Sequence, residues 1–381
     1  MKIRIDRDAL ADAIAWTTRA IGSRAGSNLL TIRIEANGGT VTFSASDNET
    51  SARAEFDTAV DSPGFCDVPG RLLGDITKTL PASAVELTIE ENHLSVVCGR
   101  SQFQIPLVLG AAVPKATELP PLAGKVSATD FAAAVSQITM AASASEALPQ
   151  LTGIRLEVSG SNITLAATDR YRLGIRELEW LPVSPNANFA VLPPAAKLSE
   201  IAKGLADCEQ IEIEYNIEKP GNVIGFSGKS RSGAYRSIAT NLLDFEFPAK
   251  YRELIPREHP VVAYVEAKSL SEAIKRVRLV TDQGAAISFE LVNDEMVLTA
   301  RNSGTLAEAR EVVSATLVGE IEKMQFNPGY FVDGLNATDS NLVRLGFTLS
   351  NKPVVITAAA EVGADMDNDF QYLLMPMRAG N

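Results

Sequence analysis

The apolar positions of this chain follow one pattern three times. The segments IRIDRDALADAIAWTTRAI (3–21), KVSATDFAAAVSQITMAAS (125–143) and AYVEAKSLSEAIKRVRLVT (263–281) each open on a short alternating strand. A polar residue or two follows, then an apolar anchor at Leu10, Phe131 or Leu270. Three residues on stands an Ala-Ile or Ala-Val pair: Ala13-Ile14, Ala134-Val135, Ala273-Ile274. That spacing gathers the apolar side chains on one face of a helix.

The next segments repeat as well. LLTIRIEANGGTVTFSASDNETSARAEF, GIRLEVSGSNITLAATDRYRLGIREL and AISFELVNDEMVLTARNSGTLAEAREV each read as strand, tight turn, strand, polar break, third strand. Their turns (Asn37-Gly38-Gly39, Ser159-Gly160-Ser161-Asn162, Asn293-Asp294) carry hairpin chemistry, and the breaks fall at Asp47, Asp169 and Asn302. A second helix then starts at Pro69, Pro194 and Pro328, where a missing N–H is harmless. Its apolar positions are Leu73 and Ile76, Leu198 and Ile201, Val332 and Leu335, an amphipathic spacing in all three copies. Paired strands close each unit.

The pattern therefore predicts an α+β fold of three similar domains, each mainly antiparallel sheet with two helices. The expected boundaries are 1–121, 122–256 and 257–381, with Pro-bearing linkers at 118–125 and 254–260. Head-to-tail repeats of like units close most simply into rings.

Composition narrows the class. At 381 residues, with 46% hydrophobic and 22% charged residues, the chain is globular and too long for one core. It has no apolar run long enough for a membrane span and no signal-peptide core, which predicts a cytoplasmic protein. Cys66, Cys98 and Cys208 form no CxxC pair and read as reduced core residues. The net charge of −12 argues against nucleic acid only if the charge is evenly spread. It is not: the helices carry Arg19, Arg71, Lys78, Lys197, Lys203, Lys275, Arg276 and Arg278, with Arg24 just beyond the first. Segments 129–143 and 328–340 carry neither Lys nor Arg. No aromatic residues are interleaved for base stacking, so any DNA contact should be to phosphates and blind to sequence.

Catalytic motifs are missing. The two histidines, His93 and His259, lie in a turn and a linker and are expected to face solvent. There is no HExxH and no Cys/His cluster. GFSGKS (225–230) has Val223 where a phosphate loop needs Gly, and reads as a hairpin. An enzyme acting on a small ligand between domains would need a cluster of titratable groups at a junction, and none is legible.

LTGIRLE (151–157), AATDRYRL (166–173), FPAKYRELIP (247–256) and the terminal YLLMPMR together resemble the bacterial β sliding clamp family, in order along the whole chain. The resemblance implies a non-catalytic processivity factor without cofactors: a head-to-tail homodimer encircling duplex DNA, helices inside and sheets outside. It implies a pocket for short linear peptides of the clamp loader, replicative and translesion DNA polymerases, DNA ligase and mismatch-repair proteins. The corresponding pocket positions are Leu151, Gly153, Thr168, Tyr171, Arg172, Leu173, Pro248, Leu254, Leu373, Leu374, Met375, Pro376, Met377 and Arg378. Arg24, Arg71, Lys78, Lys203 and Arg276 fall where the family carries DNA-facing side chains, and Phe103 would meet Leu279 and Val280 across the dimer contact. Two departures bear on peptide preference. Arg170-Tyr171 replaces a frequent Gly-His pair, and the 247–256 loop is one residue longer, placing Glu253 near a common Arg position.

Overall fold

A computed structural model describes residues 1–20, 31–47, 49–109, 117–282, 284–302, 304–319 and 321–377. Among the described residues, six α-helices come in three pairs. In the first third these are α1 (Arg7–Thr17) and α2 (Gly70–Thr79), and in the second α3 (Ala128–Thr139) and α4 (Ala195–Leu205). The last third has α5 (Ala267–Val277) and α6 (Pro328–Ala337). Side-chain oxygens start three of them: Asp6 accepts from the Asp8 and Ala9 N–H groups, Ser127 from Asp130, and Asn327 from Gly329 and Tyr330. Pro69 and Pro194 stand just before α2 and α4, and Pro328 is the first residue of α6. Arg19 lies beyond α1 in a separate 3-10 turn, Thr18–Ala20.

Each third holds two antiparallel sheets. In the first, one sheet runs Ala59–Ser62, Lys2–Ile5, Val85–Glu90, His93–Cys98, Ser101–Pro106, and the other Gly64–Pro69, Thr31–Asn37, Thr40–Ser46, Thr50–Asp57. The order recurs in the other two thirds. The break after the second strand of each hairpin unit is the same turn three times. Asp47 Oδ1 accepts from the Glu49 and Thr50 N–H groups (2.8 and 2.6 Å), Asp169 Oδ1 from Tyr171 and Arg172 (both 3.0 Å), and Asn302 Oδ1 from Gly304 and Thr305 (both 2.9 Å).

Sheets continue across domain boundaries. Tyr235–Asn241, the last strand of the second domain, pairs with Thr50–Asp57 of the first. Phe370–Leu374, the last strand of the third, pairs with Arg172–Glu179 of the second. Among the described residues two strands equivalent to these junction strands lack a cross-domain partner and stay open: Ser101–Pro106 on its outer side, and the 308–314 part of Glu308–Val318, whose remainder bends onto Val261–Glu266.

The helices make one layer. Lys197 Nζ of α4 donates to the Arg19 carbonyl (3.0 Å) and Arg19 Nη1 to the Glu200 carbonyl (3.3 Å), joining the first and second domains. Gln137 Nε2 of α3 donates to the Ala337 carbonyl of α6 (2.8 Å), joining the second and third. The apolar core lies beneath, with Phe131 against Phe226 (5.8 Å) and Phe289 stacked on Phe331 (4.6 Å).

Candidate functional site

The terminal YLLMPMR stretch is both a core strand and an exposed edge. Strand alternation turns Tyr372 and Leu374 into the main core and Leu373 to the other face, opposite Leu173 of the second domain. There Leu173 and Leu373 join Ala166, Ile175, Leu192, Phe247 and Tyr251 in a separate apolar cluster rimmed by Leu243 and Ile255. Gly153 permits this closeness: a Cβ would sit 2.7 Å from Leu192 Cγ and 2.9 Å from Leu243 Cδ1.

The 247–256 segment is pinned over the strands. Tyr251, in the 3-10 turn Tyr251–Leu254, meets Phe247 edge-on (5.5 Å), and Arg252 donates to Glu177 and Thr164 (both 2.8 Å). Pro248 and Leu254 face solvent, Leu254 56% exposed. Tyr171 is also 56% exposed, under the Arg170 guanidinium (5.9 Å). Arg170 has φ 78°, a left-handed conformation that suits glycine. Beyond the last strand, Met375 N–H donates to the Tyr171 carbonyl (2.8 Å) and Met377 N–H to the Gln325 carbonyl (2.7 Å). Their side chains stay open, 40% and 39% exposed. The result is an apolar floor with a flexible Met and aromatic rim.

Other expected pocket residues have scaffold roles. Leu374 is fully enclosed and Leu151 is buried. Thr168 Oγ1 donates to the Arg172 carbonyl (2.6 Å). Arg172 is no free polar edge. Its guanidinium donates to Asp169 (3.0 Å) and to Asp333 of α6 (2.6 Å), and lies 4.0 Å from the Tyr330 ring. Burial opposes its charge, but Tyr372, Asp333 and Asp169 more than offset this and raise its pKa. It fastens the second domain to the third.

Arg71, Lys78, Lys203 and Arg276 all project from the helix layer into solvent. Lys78 stands 3.6 Å from Asp75, whereas Arg276 is held by both oxygens of Glu311 (2.6 and 3.0 Å). Phe103 lies half-buried on one open edge strand. Leu279, 83% exposed, and the half-buried Val280 follow α5. Arg24 and Arg378 lie outside the described residues.

Three family descriptions match in series. They are the N-terminal, central and C-terminal domains of the DNA polymerase III beta subunit, over residues 1–115, 125–249 and 252–378. The chain is 37% identical over 380 residues to the beta sliding clamp of Streptomyces coelicolor, covering 99% of each. It is 34% identical to the beta sliding clamp homolog GriR of Streptomyces muensis, again covering 99% of each. The crystal structure of the DNA polymerase III subunit beta from Pseudomonas aeruginosa superposes with a TM-score of 0.88 at 24% identity, covering 100% of both chains. The chain belongs to the beta sliding clamp family.

It is thus a DNA sliding clamp and a processivity factor without catalysis of its own. The clamp's histidines differ from expectation. His93 is half-buried, its ring 3.1 Å from Glu90, and His259 is half-buried with its ring over Gly346. Burial and Arg344 hold the His259 pKa below the usual imidazole value. The cysteines are buried, and desolvation pushes the Cys66 thiol up to about 12 and Cys208 to about 11. GFSGK falls in the strand Val223–Lys229.

One group escaped the sequence reading. At the junction of the clamp's first two domains, Ser227 Oγ donates to Glu214. The Tyr235 hydroxyl reaches Ser227 and Glu212 (both 2.7 Å), and Lys125 binds Glu212 (2.7 Å). Lys125, Glu212 and Tyr235 border a cleft of about 590 Å³. The group's members come from four strands, Leu122–Ser127, Gln210–Glu214, Val223–Lys229 and Tyr235–Asn241, and alternation alone hides which of them share a face.

Proposed function

We propose that two copies of this chain close head to tail into a ring around duplex DNA, and that the groove between the second and third domains seats short apolar peptides. The repeated strand register carries the ring. At the first junction Ile238 lies opposite Ala52, and at the second Tyr372 lies opposite Gly174, a large residue over a small one each time. The equivalent positions on the two open edges are Phe103 and Ala309. Pairing them between two copies repeats the junction a third time and brings Phe103 towards Leu279 and Val280.

Within the ring the exposed Arg71, Lys78 and Lys203 supply positive charge for passing phosphates, as would Arg24, which lies outside the described residues. Few mobile cations suit sliding, and the acidic body limits binding elsewhere. In the groove, Tyr171, Pro248, Leu254, Met375 and Met377 contact the peptide over the Leu173–Leu373 floor. The peptides belong to the clamp loader, replicative and translesion DNA polymerases, DNA ligase and mismatch-repair proteins, in the cytoplasm at the nucleoid. Among the described residues no helix is long and apolar enough to cross a membrane.

The test is Phe103→Cys with Ala309→Cys in one chain. Opposed strand residues lie within disulfide range, and the native thiols are buried. Oxidation should give a covalent dimer in non-reducing electrophoresis, and the unmodified chain should sediment at twice its mass. A monomeric mass, or no cross-link, overturns the ring.

A further inference from the structure

The geometry points to Arg276 as a joint residue between subunits rather than a DNA contact. This rests on the ring reading above and adds a partner for one side chain. The three first helices superpose through their repeat: Leu10, Phe131 and Leu270 are equivalent anchors, and the same offsets equate Trp16, Gln137 and Arg276.

In both joints within the chain, the residue at this position crosses to the following domain. Trp16 Nε1 donates to the Arg53 carbonyl on its own third strand (3.0 Å) and to the Ser237 carbonyl on the last strand of the second domain (3.2 Å). Gln137 Nε2 donates to the Ala337 carbonyl at the end of α6 in the third domain (2.8 Å). Arg276 makes only the inward half of this pattern. It grips Glu311, on the third strand of its own domain, through Nε (2.6 Å) and Nη2 (3.0 Å). Glu311 lies in the open 308–314 edge, one residue along from the position equivalent to Arg53. The outward half has no counterpart in a single chain, because the following domain belongs to another copy.

The same equivalences name the acceptors. Ser237 corresponds to Gln102 on the other open edge, and Ala337 to Thr79, the last residue of α2. Both offer backbone carbonyls, and those at the end of α2 carry the negative end of the helix dipole. A guanidinium has donors for the Glu311 carboxylate and for a carbonyl at once. Glu311 thereby aims Arg276 across the joint, and the pair orients itself before the second copy arrives.

The experiment compares wild type, Arg276→Ala and Glu311→Gln in the full chain. Sedimentation across protein concentration gives the dimer dissociation constant, and short linear duplex binding across salt gives the electrostatic slope. Arg276 is an exposed side chain, so its replacement leaves the fold standing. The expected result is a dissociation constant raised about tenfold in Arg276→Ala and less in Glu311→Gln, with the salt slope unchanged. An unchanged dissociation constant overturns the inference, and a salt slope reduced by about one phosphate contact returns Arg276 to the DNA. A wild type that never dimerises overturns the ring reading itself, an outcome distinct from either.

Discussion

Arg170 shows how one residue can hold a turn at a cost. Its left-handed backbone sits at a position where resemblance to the family suggests glycine, so the departure noticed in the sequence has a conformational meaning. Arg170→Gly should raise thermal stability by about 1 kcal/mol, since relief of the left-handed strain outweighs the added freedom of the unfolded chain. A lowered melting temperature would refute this. Glu214 makes a second prediction. Desolvation, helped by the neighbouring Glu212 and opposed by Ser227, pushes its carboxyl up to about 7. The folded state thus holds this proton above the pH at which the unfolded chain releases it. Its contribution is full in acid and fades as pH rises from about 4.5 through 7. Glu214→Gln should lose on the order of 2–3 kcal/mol less stability than wild type between pH 5 and 8. Parallel pH profiles in denaturant melts would show that the carboxyl does not carry the loss. At this scale sequence reading found what is local. Asp47, Asp169 and Asn302 were legible as breaks because an Asx turn needs only its own neighbours. Trp16, Arg172 and Arg236 were not, because their partners lie far along the chain. Arg236, for instance, joins Asp207 (2.7 Å) to Asp12 in the first domain.

Among elements, the helices were legible because anchor and proline recur, although in α6 the proline sits one residue further in, so Phe331 rather than the expected Val332 is the buried anchor. The terminal strand was legible in part. The resemblance marked both Leu373 and Leu374 as pocket positions, but only the cross-domain pairing shows that Leu373 floors a groove while Leu374 belongs to the core. The turn Tyr251–Leu254 had no such signal, since it is held by Arg252 reaching strands elsewhere. The groove reading makes a direct prediction at this scale. Removing Met375 to Arg378 should abolish binding of a fluorescent partner peptide while sedimentation still reports a dimer. Unchanged peptide affinity would remove the groove from its role. Arg172→Ala should act differently. It leaves Asp333 and Asp169 without their buried cation, destabilising the joint of the second and third domains by about 3–5 kcal/mol, seen as an earlier unfolding step in calorimetry. A single unshifted transition would count against that role.

For the whole molecule, charge and topology divide the labour. A ring holds DNA by enclosure, and its basic side chains need only ease the passage of phosphates. Retention on circular DNA should therefore persist at salt concentrations that abolish binding to short linear duplex. Equal salt sensitivity on both would mean that ion pairing, not enclosure, does the holding. The threefold repeat was legible from pattern alone. What pattern could not show was the continuity of the sheets: a strand's outer edge is a property of neighbours, not of its own residues.

That continuity sets where such a ring yields under load. Two of the joints in each subunit are backed by the unbroken chain as well as by a ladder of main-chain hydrogen bonds. The third joint would have the ladder alone. A protein that pries the ring apart therefore has two weak seams on opposite sides, and loosening one leaves the rest of the hoop stiff enough to spring shut behind the DNA.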